Sequence, residues 1–121
     1  MKAPSNIWSI LEAHADHADM VRSSKHAAAI VYKGTILSIG RNQYKTHPIM
    51  KLYGRNDKAI YLHAEIDAIV RCINKYGSEI LTKCSIYVLR SDKLGRISNS
   101  CPCEGCSRAI NAFGIKKVFH T

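Results

Sequence analysis

Two short segments of this 121-residue chain carry side chains that suit a metal site. They span residues 63–65 (H-A-E) and residues 102–106 (P-C-E-G-C). The imidazole of His63 and the thiolates of Cys103 and Cys106 would give a tetrahedral zinc ion three ligands and leave its fourth position to water. Such an ion does not need the carboxylate of Glu65 as a ligand. We therefore expect Glu65 to transfer protons.

Both segments lie where the apolar spacing predicts that a helix begins. The helices are predicted over residues 63–76 and 102–113, and each is followed at once by a glycine. The free N–H groups and the positive dipole end of a helix start favour thiolates. Residues i and i+2 of a regular helix point to nearly opposite sides, so His63 and Glu65 converge only if His63 lies in the irregular first turn.

The rest of the chain predicts an alternation of helices and strands. A further helix is predicted over residues 5–22, and strands are predicted over residues 26–32, 35–40, 84–89 and 115–120. Lys33 and Gly34 form a turn signal between the first two strands, which predicts a hairpin. Residues 90–100 are polar and contain glycine, which predicts a loop. The order α-β-β-α-β-α-β contains strand–helix–strand units, which predict parallel strands and right-handed crossovers.

Residues 41–62 show neither the apolar period of a helix nor that of a strand. A stretch this long without either pattern is usually functional or mobile. Its basic residues are Arg41, Lys45, Lys51, Arg55 and Lys58, set against Asp57 and interleaved with Tyr44, Tyr53 and Tyr61. The whole chain has 18 Lys and Arg against 9 Asp and Glu, a net charge of +9. This excess favours a phosphate-bearing partner, either a nucleotide or a nucleic acid. Lys45, His47 and Arg55 are therefore candidate substrate contacts, with an ordinary solvated loop as the alternative.

The composition indicates an intracellular globular protein. The length and an apolar fraction of 46% fit a single domain over residues 1–121. No apolar run is long enough to cross a membrane, and the first residues lack the apolar core of a signal peptide. The odd count of five cysteines, two of them in a C-x-x-C, argues against a secreted disulfide scaffold. We therefore expect a reducing, cytoplasmic location.

Two other interpretations of the His and Cys residues stay open at this point. Cys101 could be a fourth ligand that closes a structural zinc site, as in a zinc-stabilised nucleic-acid-binding module, but Glu65 would then have no role. The residues could also be unrelated members of an apolar core. The joint pattern with Glu65 favours the open, catalytic site over both.

The spacing H-x-E…P-C-x-x-C is a signature of zinc-dependent nucleobase deaminases, and the chain resembles the cytidine/deoxycytidylate deaminase superfamily over nearly its whole length. That superfamily includes the tRNA adenosine deaminases and the polynucleotide cytidine deaminases. The resemblance implies an α/β fold with three α-β-α layers, a mixed sheet of about four to five strands, and a homo-oligomer. It implies His63, Cys103 and Cys106 as zinc ligands, Glu65 as the proton shuttle, and Asn42 and the backbone of Ala64 as substrate contacts.

The first motif narrows the resemblance to one branch. Residues 63–69 (H-A-E-I-D-A-I) are similar to the H-A-E-x-N-A-I of deoxycytidylate deaminases, with Asp67 in place of the usual Asn. Compact members encoded by phages or viruses look similar too. Residues 90–101 are longer than the family's usual link to P-C, and Cys101 stands where an acidic or small residue is usual. We therefore expect one wall of the substrate pocket to be remodelled.

Resemblance and charge together predict a zinc-dependent hydrolase that converts dCMP to dUMP and ammonia. Basic residues of the 41–62 stretch, with Arg90 or Arg108 as further candidates, would bind the phosphate. The alternatives are a deaminase that acts on a polynucleotide, at tRNA adenosine or single-stranded cytosine, and one that acts on free cytidine or cytosine. A small nucleotide is favoured over a nucleic acid as the partner, and no membrane partner is expected.

Overall fold

The computed structural model of the chain describes residues 4–21, 24–45, 47–50 and 61–121. Within these residues, a mixed five-stranded sheet has helices on both faces. The helices are α1 (Ile7–Asp16), α2 (Ala64–Tyr76) and α3 (Glu104–Ala112), with a short 3₁₀ helix at Glu79–Lys83. The strands are β1 (Ser24–Tyr32), β2 (Thr35–Arg41), β3 (Ser85–Asp92), β4 (Ile97–Ser98) and β5 (Lys117–His120). No helix in these ranges is both long and apolar enough to cross a membrane.

β1 lies between β2 and β3 and is antiparallel to both. Lys33 and Gly34 connect β1 to β2 with φ angles of 46° and 80°, and two positive values are what a two-residue type I′ hairpin turn requires. β3 also pairs with β4 in antiparallel and with β5 in parallel orientation. The predicted hairpin is therefore confirmed.

Alternate residues of β1 face opposite helical layers. On one face, Ala27, Ala29 and Val31 pack with Ile7, Leu11 and Ala15 of α1. On the other face, Ala28 and Ile30 pack with residues of α2 and α3 that include Ile66, Ile69 and Ile110. Because both faces are covered, β1 has a continuous apolar run where a half-exposed strand would alternate. The predicted three-layer α-β-α arrangement is confirmed.

α1 is shorter than the helix predicted over residues 5–22. It ends at Asp16, and the next two backbone N–H groups donate to carbonyls three residues back, which tightens and closes the last turn. The N–H of Asp19 then donates to the carbonyl of Asn42. Tertiary pairing with the end of β2 therefore ends the helix before its apolar spacing does.

The strand–helix–strand units are only partly as predicted. β3, α3 and β5 form a unit whose two strands are adjacent and parallel. β2 and β3, which flank α2 in sequence, run in the same direction, but β1 lies between them and is antiparallel to both. One such unit therefore joins neighbouring strands and the other crosses over a third strand.

The prediction of a loop over residues 90–100 is wrong in part, because this segment forms a hairpin. β3 continues to Asp92, and β4 pairs back onto Arg90 and Ser91. The Asp92 carboxylate accepts the backbone N–H groups of Leu94 and Arg96 and the Nε–H of Arg96, at 2.9–3.0 Å. These local hydrogen bonds close a turn that polar composition alone does not distinguish from an open loop.

Gly40 of β2 lies directly against the first turns of α2. A Cβ at this position would lie 2.3 Å from the carbonyl oxygen of Ala64 and 2.3 Å from the backbone nitrogen of Ala68, well inside the 3.0 Å that real Cβ contacts essentially never cross. The Ser38 hydroxyl, two residues earlier, donates to the carbonyl of Ala68 at 2.7 Å. The absence of a side chain at Gly40 therefore sets how closely the start of α2 approaches the sheet.

Gly40→Ala should displace α2 and lower the free energy of unfolding by about 1–3 kcal/mol, the usual cost of overpacking. Urea unfolding and zinc content measure the two effects. Gly77→Ala is the matched control, since its added Cβ meets nothing within 4 Å although its φ of 82° is strained for alanine. The control should lose some stability but keep its metal. A Gly40→Ala protein with full stability and full zinc content would contradict the packing argument.

Candidate metal centre and its cavity

His63 lies just ahead of α2, as its N-cap residue, with φ −76° and ψ 149°. This extended backbone takes the His63 side chain out of the helical register, so that it and Glu65 line the same cavity. His63 therefore lies outside the regular helix, as its convergence with Glu65 requires. The His63 ring stacks on Tyr61, with centroids 4.7 Å apart and planes 11° apart. The stacking and the contacts of Nδ1 with two cysteine sulfurs orient the ring, while its buried Nε2 has no hydrogen-bond partner in the described part of the chain.

Cys103 is the N-cap residue of α3 and also has an extended backbone, with φ −66° and ψ 169°. Its sulfur accepts the backbone N–H of Cys106 at 3.5 Å. The helix predicted from residue 102 therefore begins at Glu104, and the two sulfurs lie together at its amino-terminal end. Nδ1 of His63 lies 3.7 Å from Sγ of Cys103 and 3.3 Å from Sγ of Cys106.

A zinc ion fits this donor set. With Zn–N distances of about 2.0–2.1 Å and Zn–S distances of about 2.3 Å, tetrahedral geometry separates the nitrogen from each sulfur by about 3.5 Å. The observed 3.3 and 3.7 Å bracket that separation. The three ligand atoms all lie within 4.8 Å of one another, which also excludes the interpretation of these residues as unrelated core members.

Cys101 does not belong to this group in the part of the chain that the structure describes. Its side chain is exposed, although it is among the residues that line the same cavity. The geometry therefore gives no support to a closed site with Cys101 as a fourth ligand. A site with three protein ligands keeps one position for water or substrate.

The two ligand thiols differ in acidity because they share a hydrogen bond. That bond, together with one from His63, lowers the pKa of Cys103, even though partial burial acts in the opposite direction. The same bond and burial raise the pKa of Cys106. A metal ion that binds both sulfurs as thiolates therefore displaces a proton from the pair.

Glu65 lies in the first turn of α2 and is 5% exposed. Burial raises the pKa of its carboxyl group, with the hydrogen bond to its backbone and the nearby His63 acting in the opposite direction. A buried carboxylate without a salt-bridge partner among the described residues is costly to keep charged. Its position beside the three metal-binding side chains suits a group that accepts and returns a proton.

A cavity of about 240 Å³ opens above the ligand group. One wall comes from the starts of α2 and α3 and includes His63, Ala64, Glu65 and Cys103. Tyr61 lines the cavity beside His63, on which it stacks, and the other lining residues come from the sheet and its connections and include Ser24, His26, Asn42, Arg90 and Ser100. The volume lies just below the range of about 300–1,000 Å³ that is common for ligand pockets, so one small molecule or one nucleotide unit would fill it.

Asn42 and Ala64, the predicted substrate contacts, both line this cavity. The side-chain carbonyl of Asn42 accepts the backbone N–H of His26 at 2.7 Å, and its amide donates to the carbonyl of Ser24 at 3.3 Å. Asn42 thus ties the end of β2 to β1. An amide oxygen has a second lone pair and an NH₂ group a second hydrogen, so both ends can still contact a ligand.

The candidate substrate contacts predicted from the charge of the 41–62 stretch do not line this cavity where the structure describes them. Lys45 is exposed, and Nδ1 of His47 accepts the backbone N–H of Ile49 at 3.2 Å. Neither is among the residues that line the cavity. Arg55 lies outside the described residues. Substrate contact by these three side chains stays a prediction.

Sequence analysis missed His26, which faces the cavity from β1. Burial and the nearby charges of Arg90 and His63 lower the pKa of His26 to about 4, so its imidazole is neutral at pH 7. The register of the sheet places it directly opposite Arg90 of β3. The signal that could have found this pair is a polar residue at the end of each of two apolar strand segments, but the pairing itself depends on strand register.

In the sequence, Asp67 stands out only because it replaces the Asn that is usual in the family pattern. In the structure, its buried carboxylate connects α2 to the end of β2. It accepts the backbone N–H of Arg41 and the side-chain amide of Gln43, each at 3.0 Å. The Nε–H of Arg71 contacts both of its oxygens at 3.1 Å. The residues on both sides of Asn42 are therefore held by Asp67, which fixes where Asn42 enters the cavity.

Cys106→Ser should abolish stable zinc binding, whereas Cys101→Ser should keep about one zinc ion per chain, because only the first change removes one of three ligands. Metal analysis after gel filtration in dilute chelator measures the difference. Cys101→Ser is a matched control, since it makes the same chemical change in the same segment. Loss of zinc in Cys101→Ser would instead indicate that Cys101 is a fourth ligand and that the site is closed.

Comparison with known proteins agrees with this geometry. The family model for the cytidine and deoxycytidylate deaminase zinc-binding region matches residues 1–121. The apo crystal structure of dCMP deaminase from the cyanophage S-TIM5 is similar to this chain, with a TM-score of 0.59, 23% identity, and coverage of 99% of this chain and 84% of that one. No curated protein sequence matches significantly.

Two further solved structures share the fold. Cytidine deaminase from Mycobacterium tuberculosis has a TM-score of 0.56 and 19% identity, covering 94% of this chain and 83% of that one. Guanine deaminase from Bacillus subtilis has a TM-score of 0.56 and 23% identity, covering 93% of this chain and 57% of that one. At these identities the structural likeness shows the fold alone. The match over residues 1–121, joined to a zinc-compatible His and Cys group, shows that this chain belongs to the cytidine and deoxycytidylate deaminase family of zinc-dependent aminohydrolases.

Proposed function

We propose that this protein deaminates the cytosine ring of a nucleotide, with dCMP as the substrate and dUMP and ammonia as the products. The observation that carries the proposal is the buried Glu65 carboxylate beside three metal-binding side chains that leave a coordination position open. Its carboxyl group has no ion-pair partner among the described residues and hydrogen-bonds only to its own backbone and to the Cys106 thiol. Hydrolytic removal of an amino group from a heterocycle needs just such a proton carrier next to an activated water.

Bound by His63, Cys103 and Cys106, zinc would supply Lewis acidity that lowers the pKa of a water molecule. Glu65 would then take a proton from that water and deliver it to the ring nitrogen N3 as the water oxygen bonds to C4. The second proton would reach the exocyclic amine by the same carboxylate, and the C4–N4 bond would break to release ammonia. The raised pKa of Glu65 suits a group that must hold a proton between these steps.

The ring itself would be held by backbone and amide groups of the cavity. Ala64 is the first residue of α2, where N–H groups have no partner within the helix, so its N–H can donate to a carbonyl oxygen of the base. The unused lone pair and N–H of Asn42 can bind a sugar hydroxyl or a base edge. Stacked Tyr61 and His63 line one side of the cavity and offer ring surface to the base.

A deaminase that acts on a polynucleotide is the second candidate. The net charge of +9 supports it, because a basic surface attracts the phosphate backbone of nucleic acids. The cavity of about 240 Å³ supports the mononucleotide, since a space of this size suits one nucleotide unit. Free cytidine or cytosine would leave the positive charge without a role.

We also infer a homo-oligomer. Trp8 of α1 and Phe119 of β5 are exposed at 37% and 43%, and each ring packs on Tyr87 between them. Val118, beside Phe119, is exposed at 39%. An aromatic surface of this kind supports burial against another protein molecule.

All five cysteines are free thiols, which supports the cytoplasmic, reducing location.

Glu65→Ala should keep the fold and the zinc ion but lose turnover by about 100-fold or more, the usual contribution of a positioned general acid–base group. Ammonia release and zinc content should be measured on the same preparation. Glu104→Ala is the control, since that carboxylate lies at the start of α3 but is exposed and pairs with Arg108. Unchanged turnover in Glu65→Ala would contradict the proposed proton transfer.

A substrate panel tests the choice of nucleotide directly. Zinc-loaded protein should release ammonia fastest from dCMP when it is compared with cytosine, cytidine, dCTP, adenosine, guanine, a cytosine-containing oligonucleotide and a tRNA. The physical reason is that a cavity of about 240 Å³ suits one nucleotide unit, while the basic chain favours a phosphate-bearing substrate. Preferred release from the oligonucleotide or the tRNA would replace the mononucleotide with the second candidate.

A further inference from the structure

Arg90 is held in a fixed position at the end of β3, on the wall of the cavity opposite the metal ligands. Its Nε–H donates to the hydroxyl of Ser24 at 2.9 Å, and Nη1 approaches the carbonyl of Asn99 at 3.5 Å. Ser24 begins β1, and Asn99 follows β4. The guanidinium group is therefore anchored from two sides by the sheet and by the hairpin between β3 and β4.

The charge of Arg90 is not neutralised by a carboxylate in the described part of the chain. The ion pairs there join Arg71 to Asp67, Arg96 to Asp92, and Arg108 to Glu104. The nearest carboxylate in sequence is that of Asp92, which accepts three hydrogen bonds from Leu94 and Arg96 within the hairpin turn. No described acceptor contacts Nη2 of Arg90. A fixed guanidinium with open donors on a cavity wall is a ready site for an anion.

The two walls of the cavity differ in charge. Among its described lining residues, Arg90 carries the one permanent positive charge and Glu65 the one carboxylate. His26, which lies opposite Arg90 in the sheet register, is within electrostatic reach of both Arg90 and His63. Because the pKa of His26 is lowered to about 4, it adds a neutral hydrogen-bonding group rather than a second cation. A molecule that spans this cavity therefore meets proton transfer at one wall and an anion site at the other.

We infer that Arg90 binds a phosphate attached to the sugar of the base that reacts, and so makes the protein select nucleotides over nucleosides. This inference rests on the proposed function, and it assigns the phosphate to the β3–β4 hairpin instead of the 41–62 stretch. Lys45 of that stretch is exposed and does not line the cavity, whereas Arg90 does. The phosphate can belong to a mononucleotide or to a polynucleotide backbone, since both present the same oxygen atoms to a guanidinium.

The test is a binding titration with zinc-loaded Glu65→Ala protein, in which ligands are not consumed. The ligands are dCMP, deoxycytidine, a cytosine-containing oligonucleotide and inorganic phosphate. With Arg90 present, dCMP should bind about 10- to 100-fold more tightly than deoxycytidine, the range expected for charge-assisted hydrogen bonds. Arg90→Gln should remove that difference and leave deoxycytidine binding unchanged, which also shows that the cavity is intact.

Arg96→Gln is the matched control, because it removes a guanidinium from the same hairpin outside the cavity lining. It should keep the preference for dCMP. A preference that survives Arg90→Gln, or that disappears in Lys45→Gln instead, would overturn the inference, and so would equal binding of dCMP and deoxycytidine to the Arg90 protein. If the oligonucleotide binds in an Arg90-dependent way and dCMP does not, Arg90 reads a backbone phosphate.

The two proposals can fail separately. Arg90-dependent binding of inorganic phosphate, with no binding of any cytosine compound, would support the anion site and reject the cytosine nucleotide. Ammonia release from dCMP and deoxycytidine at equal rates by the zinc-loaded protein with Glu65 intact would support the deamination and reject the phosphate contact. The ratio of kcat/KM for these two substrates is therefore the deciding measurement for Arg90.

Discussion

The amino-terminal ends of α2 and α3 meet over one face of the sheet, and the chemistry of the site depends on this convergence. His63 and Cys103 are the N-cap residues of the two helices, and both have extended backbones. Each can therefore direct its side chain away from its own helix and toward the other. Gly40 permits the approach of α2 to β2 that this meeting requires, because any side chain there would collide with the helix backbone. Gly40 on β2 thus contributes to the position of the His63 nitrogen relative to the two cysteine sulfurs.

The same arrangement explains the electrostatics of the site. Two helix starts supply N–H groups and partial positive charge, which favour thiolate sulfurs. The Cys106 N–H that bonds Cys103 is one of these groups. Glu65 lies among them but is buried, so its carboxyl group is held at a raised pKa by loss of water. One structural feature, the meeting of two helix starts, therefore places the metal-binding group, and it also supports the proton transfer that we propose for Glu65.

The opposite wall of the cavity is built by different means. Strand register brings His26 against Arg90, and the β3–β4 hairpin holds Arg90 through the carbonyl of Asn99. Asp67 reaches from α2 to the residues on both sides of Asn42 and so connects this wall to the metal-binding side. The metal-binding residues and this wall therefore come from different parts of the fold. Helix starts supply the former, and strand ends together with the β3–β4 hairpin supply the latter.

Local sequence signals predicted much of the fold and the chemical part of the site. The apolar periods identified the helices and strands, the Lys33-Gly34 turn identified the hairpin, and the H-x-E and C-x-x-C spacings identified the group of His63, Cys103 and Cys106. These features depend on residues near one another in the chain, where helix geometry and turn conformation fix distances. The predicted end of α1 and the predicted start of α3 were less accurate. A contact of Asp19 with Asn42 follows the end of α1, and the N-cap at Cys103 decides the start of α3.

Tertiary structure alone decided the rest. The pairing of His26 with Arg90 joins residues 64 positions apart, the hairpin at Asp92 depends on side-chain hydrogen bonds to its own turn, and the contacts of Asp67 join a helix to a distant strand end. A one-residue change of register would turn His26 or Arg90 to the other face of the sheet, so no local pattern could place them. By itself the sequence determined which side chains can hold a metal and which carboxylate to propose as the proton carrier. The packing of helices on a sheet of fixed register decided which residues share the cavity with them.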